Sequence, residues 1–186
     1  MDSVRMADTY LRLAQIMTPN DANVLGKVFG GSILALIDLT ASAVSSKYAG
    51  TVCVTAAFDR VDFHQPVEIG ELVELDGHVS YVGRTSIEVT IDVHATRLTT
   101  QERRHVNTAR VVMVAIRDGS SSPVPRLICE TRDEKRQYLA GRLRRELRDQ
   151  RRAQMADLLE KLNACEEDRL SQLMDSTDPL AEQLWR

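Results

Sequence analysis

The chain is poor in aromatic residues and cysteine, and it has no marked excess of either charge. Aromatic side chains make up 4% of its 186 residues, so Val, Ile, Leu and Ala must fill most of the interior. The three cysteines are an odd number and form no Cys-x-x-Cys pair, which favours reduced thiols in a cytoplasmic protein. A net charge of −3 argues against the basic surface of a nucleic-acid-binding protein.

Long hydrophobic runs and common catalytic motifs are also absent. No apolar run approaches the roughly 20 residues of a transmembrane helix, and residues 1–8 lack the apolar core of a secretory signal. The segment Gly30-Gly31-Ser32-Ile33 lacks the second glycine of a serine-nucleophile elbow. Four histidines show no metal-ligand spacing: His64, His78, His94 and His105. Because His78 and His94 fall on polar faces, we expect most histidines to face solvent, and we expect no metal and no cofactor.

The most informative stretch is a double glycine followed by an apolar segment that contains one carboxylate. Apolar residues recur at helical spacing from Gly31 to about Tyr48, and Gly50 supplies the stop. The start of such a helix carries unpaired backbone N–H groups and the positive end of the helix dipole, and glycine permits close approach. These features predict an oxyanion site. Asp38 lies among small residues, which predicts that the helix is buried.

Asp38 and Gly31 lie on one face of this predicted helix but about 10 Å apart along its axis. One helix therefore cannot bring both groups to the same carbonyl. A site made from the glycine end of one helix and the aspartate of another resolves the distance, and such a site requires a dimer. The alternative is that Asp38 is a solvated residue or a buried hydrogen-bonding partner without a chemical role.

Most of the remaining sequence up to residue 120 has the alternation of β-strands. The predicted strands cover residues 10–16, 52–63, 72–81, 86–95 and 106–116. The short segment 82–85 predicts an antiparallel hairpin, and the nearly continuous apolar run over 106–116 predicts a central strand covered on both faces. Since only one long helix is predicted beside these strands, the predicted fold is α+β, with an antiparallel sheet wrapped around one central helix.

After Pro123 and Pro125 the sequence becomes strongly charged. We divide the chain into a domain over residues 1–126 and a charged helical tail over 127–186. Apolar residues form a stripe along this tail: Leu139, Leu143, Leu147, Met155, Leu158, Leu159 and Leu162. The stripe predicts packing on the domain or on a symmetry mate. Acids interspersed among the arginines favour a solvated, salt-bridged face over phosphate or nucleic-acid binding.

Several separated motifs occur in an order that resembles one family. The matching residues are Met17-Thr18-Pro19-Asn20-Asp21-Ala22-Asn23, Gly26, Phe29-Gly30-Gly31, Ile37-Asp38, Val54-Thr55, Val61-Asp62-Phe63, Pro66-Val67, Gly70-Glu71, Val82-Gly83-Arg84-Thr85-Ser86, Val114-Ala115-Ile116 and Pro123-Val124-Pro125. They resemble the hotdog-fold acyl-CoA thioesterases, in particular the group of bacterial short-chain acyl-CoA thioesterases and the mammalian cytosolic acyl-CoA hydrolase. Two segments depart from the family: Phe63-His64-Gln65-Pro66 lacks its lysine, and Val111-Val112-Met113 lacks its aromatics.

The resemblance implies an enzyme that hydrolyses fatty acyl-CoA to free acid and CoA, so coenzyme A enters as part of the substrate. It implies that Asn23 and Asp38 meet across a dimer interface, with the amide of Gly31 or of its neighbour Gly30 holding the thioester oxygen. Asp38 would act as general base on water or as nucleophile, and Asn23 would position water or the carbonyl. Further substrate contacts are implied at Thr55, Gly83, Arg84, Thr85 and Ser86.

The family also implies a homo-oligomer, at least a dimer and as a further expectation a trimer of dimers. Hotdog dehydratases pair a histidine with a carboxylate near the helix, and no such histidine precedes Asp38, which argues against dehydration. The alternative is a non-catalytic acyl-CoA-binding hotdog protein whose tail serves regulation or assembly.

Overall fold

The computed structural model describes residues 3–59, 61–63 and 65–178. The strands are β1 (Ser3–Arg5), β2 (Leu11–Ile16), β3 (Cys53–Phe58), β4 (Leu72–Val82), β5 (Ser86–Arg97), β6 (Glu102–Arg117), β7 (Ser120–Ser121) and β8 (Arg126–Ile128). The helices are α1 (Gly30–Ala49), α2 (Arg132–Asn163) and α3 (Glu167–Met174), with 3₁₀ turns at Met6–Thr9 and Pro19–Asp21.

The central sheet is antiparallel, with the strand order β2-β4-β5-β6-β3 and β7 paired to β6. β4 and β5 form the predicted hairpin, whose register runs from Leu72 opposite Thr96 to Val82 opposite Ile87. β6 is longer than its apolar run and lies inside the sheet. Its inward residues are buried, but alternate outward residues are only half-buried, so β6 is not fully covered on both faces as predicted.

Helix α1 packs against the inner face of this sheet, as its pattern of apolar residues predicts. Its buried residues are Ile33, Leu36, Ile37, Thr40, Ala41, Val44, Ser45 and Tyr48. Gly77 of β4 allows close approach, since a Cβ there would lie 3.0 Å from the side chains of Thr40 and Val44. Gly50 ends the helix in the left-handed region at φ 63°, where glycine has no steric penalty.

Strand β3 is shorter than the predicted strand over 52–63. The register with β6 shifts between Thr55 and Ala57, which marks a β-bulge, and a bulge increases the local twist of an edge strand. After the N–H of Asp59 donates to the carbonyl of Arg110 at 2.9 Å, the chain leaves the sheet. The prediction that the strand continues to Phe63 is therefore wrong.

Two compact units divide the chain, one ending at Gly141 and one beginning at Arg142. The first contains β8, which pairs in parallel with β1, and the first turns of α2, which the sequence assigned to the tail. The second contains the rest of α2 and α3. Along α2, i,i+4 ion pairs such as Arg142–Glu146 at 3.0 Å form the predicted salt-bridged face.

The histidines are less uniformly exposed than the sequence suggested. His78 is buried, its ring stacks on Tyr10 at 4.6 Å, and its Nε2 lies 2.6 Å from Oε1 of Gln137. The prediction that His78 faces solvent is wrong because the first turns of α2 cover this part of the outer sheet face. His94 is half-buried and His105 is exposed, while His64 lies outside the described residues.

Most of the apolar stripe of α2 is exposed: Leu139, Leu143 and Leu147 are 55%, 59% and 52% accessible, and Met155, Leu159 and Leu162 are also exposed. Packing of this stripe on the domain or on a symmetry mate stays a prediction. Among the described helices, none is long and apolar enough to cross a membrane. Within the same residues, no cluster of three or more His, Cys, Asp or Glu side chains has an arrangement suited to a metal ion.

Candidate active site

Asp38 lies in α1 and makes contact with the edge strand β3. Its Oδ1 accepts a hydrogen bond from Oγ1 of Thr55 at 2.5 Å, and the residue is partly exposed. The same hydroxyl lies 3.5 Å from Sδ of Met113, which is opposite Thr55 in the sheet. The fold thus joins two predicted site residues, and it leaves the carboxylate accessible while orienting it.

Exposed apolar residues lie close to this pair along the chain. Leu39 follows Asp38 and is 56% exposed, and Val54 precedes Thr55 and is 47% exposed. Phe58 extends the same strand and is also exposed. Because side chains alternate along a strand, Val54 points to the face of the sheet opposite Thr55. Exposed apolar side chains on α1 and on the edge strand β3 are typical of an interface, which favours a site that a second chain completes.

Asn23 closes a tight loop before α1. Its Oδ1 accepts hydrogen bonds from the N–H groups of Leu25 at 2.9 Å and Lys27 at 3.2 Å, and its own N–H donates to the carbonyl of Lys27 at 2.7 Å. An asparagine commonly stabilises a turn by bonding nearby backbone in this way. Because the carboxamide oxygen is used within the loop, Nδ2 is the group that Asn23 can offer to a ligand.

The start of α1 is built around glycine for steric reasons. A Cβ on Gly31 would lie 2.2 Å from the ring of Phe29, so no other residue fits there without moving that ring. A Cβ on Gly30 would lie 3.6 Å from the ring of Phe63, which is an ordinary van der Waals contact. The first N–H groups of a helix have no partners within it, so the amides of both glycines are available to bind an oxyanion.

A cavity of about 220 Å³ opens beside this helix start. It is lined by Val28, Gly30, Ile33, Phe63, Gln65, Pro66 and Val67. Sequence reasoning matched Pro66-Val67 to the family but assigned these residues no role. The cavity combines apolar walls with a glycine amide, which is a suitable environment for the apolar part of a ligand.

The turn between β4 and β5 is held by backbone hydrogen bonds. The N–H of Gly83 donates to the carbonyl of Ser86 at 2.8 Å, that of Ala115 to Thr85 at 3.1 Å, and that of Val124 to Arg84 at 3.1 Å. The side chain of Arg84 is exposed on this fixed turn. A rigid turn that presents a guanidinium is suited to binding a phosphate.

A single chain does not bring all the predicted site residues together. Asp38 and Thr55 form one group, and Asn23, Gly30 and Gly31 lie at the start of α1, about 10 Å away along the helix axis. The turn from Gly83 to Ser86 lies at the end of the sheet where β5 meets Val114. The expectation that the complete site needs two subunits stays a prediction.

An antiparallel sheet packed on one long helix, with a carboxylate at the middle of that helix, defines a hotdog-fold protein. Residues 25–100 match the thioesterase superfamily. Protein VdlD of Helicobacter pylori is 34% identical over 140 residues, which are 75% of this chain and 80% of VdlD. The human cytosolic acyl coenzyme A thioester hydrolase is 30% identical over 133 residues, 70% of this chain and 35% of that protein.

Two solved structures are similar over most of the chain. A hexameric acyl-CoA thioesterase in its apo form has a TM-score of 0.78 at 37% identity, covering 82% of this chain and 99% of its own. The acyl-CoA hydrolase of Staphylococcus aureus, in complex with butyryl coenzyme A, coenzyme A and coenzyme A disulfide, has a TM-score of 0.76 at 29% identity, covering 87% and 99%. This chain belongs to the hotdog-fold acyl-CoA thioesterases of the thioesterase superfamily, which confirms the predicted fold and family.

The S. aureus hydrolase has also been solved as three alanine variants, in which an aspartate, an asparagine and a threonine are replaced. The order and spacing of these three residues in that chain are the same as those of Asn23, Asp38 and Thr55 here. Asp38 and Thr55, which are hydrogen-bonded here, thus have the same spacing as the aspartate and the threonine that were replaced in that enzyme.

Proposed function

We propose that this protein hydrolyses acyl-CoA thioesters to the free acid and coenzyme A. The observation that carries the proposal is the partly exposed Asp38 carboxylate, held by Thr55 on the central helix of a chain that belongs to the acyl-CoA thioesterases. Carboxylates oriented in this way commonly act as general bases.

In the proposed reaction, a water molecule attacks the thioester carbonyl carbon while its proton passes to Asp38. Thr55 occupies Oδ1 of the carboxylate, so Oδ2 takes the proton. The tetrahedral intermediate then collapses, the C–S bond breaks, and Asp38 returns the proton to the leaving sulfur of coenzyme A. The alternative role for Asp38 is direct attack on the carbonyl, which would form an anhydride that water hydrolyses.

The developing negative charge on the thioester oxygen needs donors near the carbonyl. The amide of Gly31 or of Gly30 can supply one at the positive end of the α1 dipole. Nδ2 of Asn23 positions water or the carbonyl, since its Oδ1 is already bonded within the loop. Removing one such donor from an oxyanion site typically costs about 10²–10³ in kcat.

We extend the proposal to a site shared between two subunits, with Asn23 and Gly31 from one protomer and Asp38 of the partner subunit. The exposed apolar side chains of Leu39 on α1 and of Val54 and Phe58 on the edge strand β3 support a dimer interface at β3 and α1. A trimer of such dimers is the proposed assembly, in line with the hexameric state of the related thioesterase.

Substrate binding is proposed at two further places, one beside Asp38 and one on the turn between β4 and β5. Thr55 contacts the reacting end, and the turn Gly83, Arg84, Thr85 and Ser86 contacts coenzyme A. No other cofactor or metal is proposed. We also propose a cytoplasmic location, supported by three unpaired cysteines and by the cytosolic relative.

The test is turnover of the purified protein against acyl-CoA substrates of increasing chain length, with release of the CoA thiol followed spectroscopically. Each of the protein's three cysteines reacts at most once with the thiol reagent, and a substrate-free control subtracts that signal. Sustained turnover that Asp38→Asn abolishes is expected. Tight binding of acyl-CoA by calorimetry without turnover of any substrate would establish the non-catalytic acyl-CoA-binding alternative instead.

A further inference from the structure

Glu71 is a buried carboxylate outside the catalytic group, and Arg104 neutralises it. Only 2% of Glu71 is exposed. Nη1 of Arg104 donates to Oε1 at 2.9 Å and Nη2 donates to Oε2 at 2.6 Å, and Arg97 lies 3.6 Å from Oε1. These hydrogen bonds hold the pKa of Glu71 below its ordinary value. A buried charge persists only when it is paired and hydrogen-bonded in this way.

A β-bulge turns Arg104 towards this carboxylate. The register of β5 and β6 shifts so that Val93 lies opposite Asn107 while His94 lies opposite His105, and Val106 is the extra residue. Beyond the bulge, Arg104 pairs with the buried Ala95 and therefore points to the inner face of the sheet. Bulges commonly redirect a side chain next to a functional site.

Arg104 also holds the segment that precedes Glu71. Its Nη2 donates to the carbonyl of Pro66 at 2.8 Å, and Oε2 of Glu71 accepts from the N–H of Glu68 at 3.0 Å. One guanidinium thus fixes both ends of residues 66–71. Pro66 and Val67 form a wall of the cavity at the start of α1, so this wall depends on Arg104.

The same segment holds the loop of Asn23. The N–H of Val28 donates to the carbonyl of Val67 at 2.9 Å, and Nζ of Lys27 lies 2.5 Å from Oε1 of Glu68. The carbonyl of Lys27 in turn accepts from the N–H of Asn23, and the N–H of Lys27 donates to Oδ1 of Asn23. A continuous set of short contacts therefore runs from Arg104 through residues 66–71 to Asn23.

We propose that Arg104 is a positioning residue, which acts through Glu71 and Pro66 to fix the cavity wall and the Asn23 loop at the start of α1. The inference rests on the proposed function, because Asn23 matters there as a group that orients water or the thioester. Displacement of a reacting group by about 1 Å can lower the rate by as much as 10²-fold, so loosening this contact has a measurable effect without unfolding the sheet.

The test compares Arg104→Lys with Arg103→Lys, the same change at the adjacent residue of β6. Arg103 points to the outer face and pairs with Glu74 at 3.1 Å, away from the cavity. Lysine keeps the charge but cannot make the bidentate contact. We expect Arg104→Lys to lower kcat roughly tenfold and Arg103→Lys to change it less than about twofold, with both variants folded by circular dichroism.

Coupling to Asn23 separates positioning from general damage. In an Asn23→Ala background, Arg104→Lys should lower kcat by less than about twofold, because the group that it positions is already gone. Equal factors in both backgrounds, or equal effects of the two lysine variants, would overturn the proposal.

Hydrogen exchange gives a readout that needs no substrate. The amides of Leu25, Lys27 and Val28 should exchange faster in Arg104→Lys than in Arg103→Lys, and unchanged exchange at these amides would overturn the inference even if the enzyme is active. If the unaltered protein hydrolyses no acyl-CoA, the proposed function fails, and faster exchange still supports control of the loop by Arg104.

Discussion

Thr55 of β3 donates a hydrogen bond to Oδ1 of Asp38 on α1 at 2.5 Å. The bond joins the edge strand to the central helix and sets the direction of a partly exposed carboxylate. Since Thr55 also lies against Met113 of the neighbouring strand, the position of the hydroxyl is determined by the sheet. The orientation of Asp38 therefore depends on the packing of β3 against β6.

Replacing Asp38 by Asn should lower kcat on acyl-CoA about a hundredfold or more, because the amide cannot accept the proton from water. The shape of the side chain is nearly unchanged, so the oligomer should remain folded. Initial rates, with sedimentation as the control for assembly, check this outcome. A fully active variant would contradict the role of Asp38.

Replacing Thr55 by Ala should lower kcat roughly tenfold, since the carboxylate loses the donor that orients it. Thr55→Ser retains the hydroxyl and should recover most of the activity. The comparison of kcat for the two variants isolates the hydroxyl from the loss of the methyl group. Equal activity in the two variants would mean that the hydrogen bond has no part in the reaction.

Mixed subunits should show that the site is shared. Asn23→Ala and Asp38→Asn subunits are each expected to be impaired, Asn23→Ala less completely, and a hybrid dimer should contain one intact site. Refolding an equal mixture should therefore raise the activity above that of either parent. Mixtures as inactive as their parents would show that Asn23 and Asp38 act within one chain.

Arg84→Ala should raise KM for acyl-CoA roughly tenfold with little change in kcat, because a guanidinium on a fixed turn binds a phosphate most strongly through charge-assisted hydrogen bonds. The difference from the unaltered protein should shrink at high salt. An acyl-pantetheine substrate without the nucleotide is the control. Equal increases of KM for both substrates would assign Arg84 to the fold instead.

Acid should destabilise the fold through His78. Burial lowers the pKa of His78, against the opposing effects of Gln137 and Asp92, so the folded protein keeps the imidazole neutral while the unfolded chain binds a proton near pH 6.5. The free energy of unfolding should therefore fall as the pH drops below about 6.5, by at most about 1.4 kcal/mol per pH unit for this group.

Urea unfolding at about pH 8 and about pH 5.5 measures this dependence. His78→Gln should reduce the difference between the two pH values, even if its stability is lower at both. An unaltered pH dependence in His78→Gln would contradict the assignment.

Helices and strands whose apolar residues recur at a regular spacing were predictable from the sequence. Helix α1 and the hairpin of β4 and β5 have the expected type and nearly the expected bounds. Each of these elements buries one face, so its apolar residues recur at the spacing of a helix or of a strand. The pair of β1 and β8 has three residues in each strand, too few to show any period. The sequence did not predict that β3 ends at Phe58. The bulge that twists this strand arises from its pairing with β6, which the pattern of residues 52–63 does not show.

The candidate site was only partly accessible to sequence reasoning. The family motifs pointed to Asn23, Asp38 and Thr55 as site residues. The rise per residue of an α-helix was enough to predict that Gly31 and Asp38 lie too far apart to act on the same carbonyl. The motif Gly70-Glu71 was matched but had no assigned role. The sequence did not predict that Arg104 pairs with Glu71, because a bulge at Val106 decides which face of the sheet Arg104 occupies.

The sequence by itself determined where the helix and the main strands lie along the chain, and it placed a glycine pair and a carboxylate two turns apart on one helix. Those properties depend on local spacing and side-chain type. Only the tertiary structure decided that Thr55 meets Asp38, that Arg104 meets Glu71, and that α2 covers His78. Such contacts join residues far apart in the chain, and they depend on strand register and helix packing, which the sequence pattern of either partner does not specify.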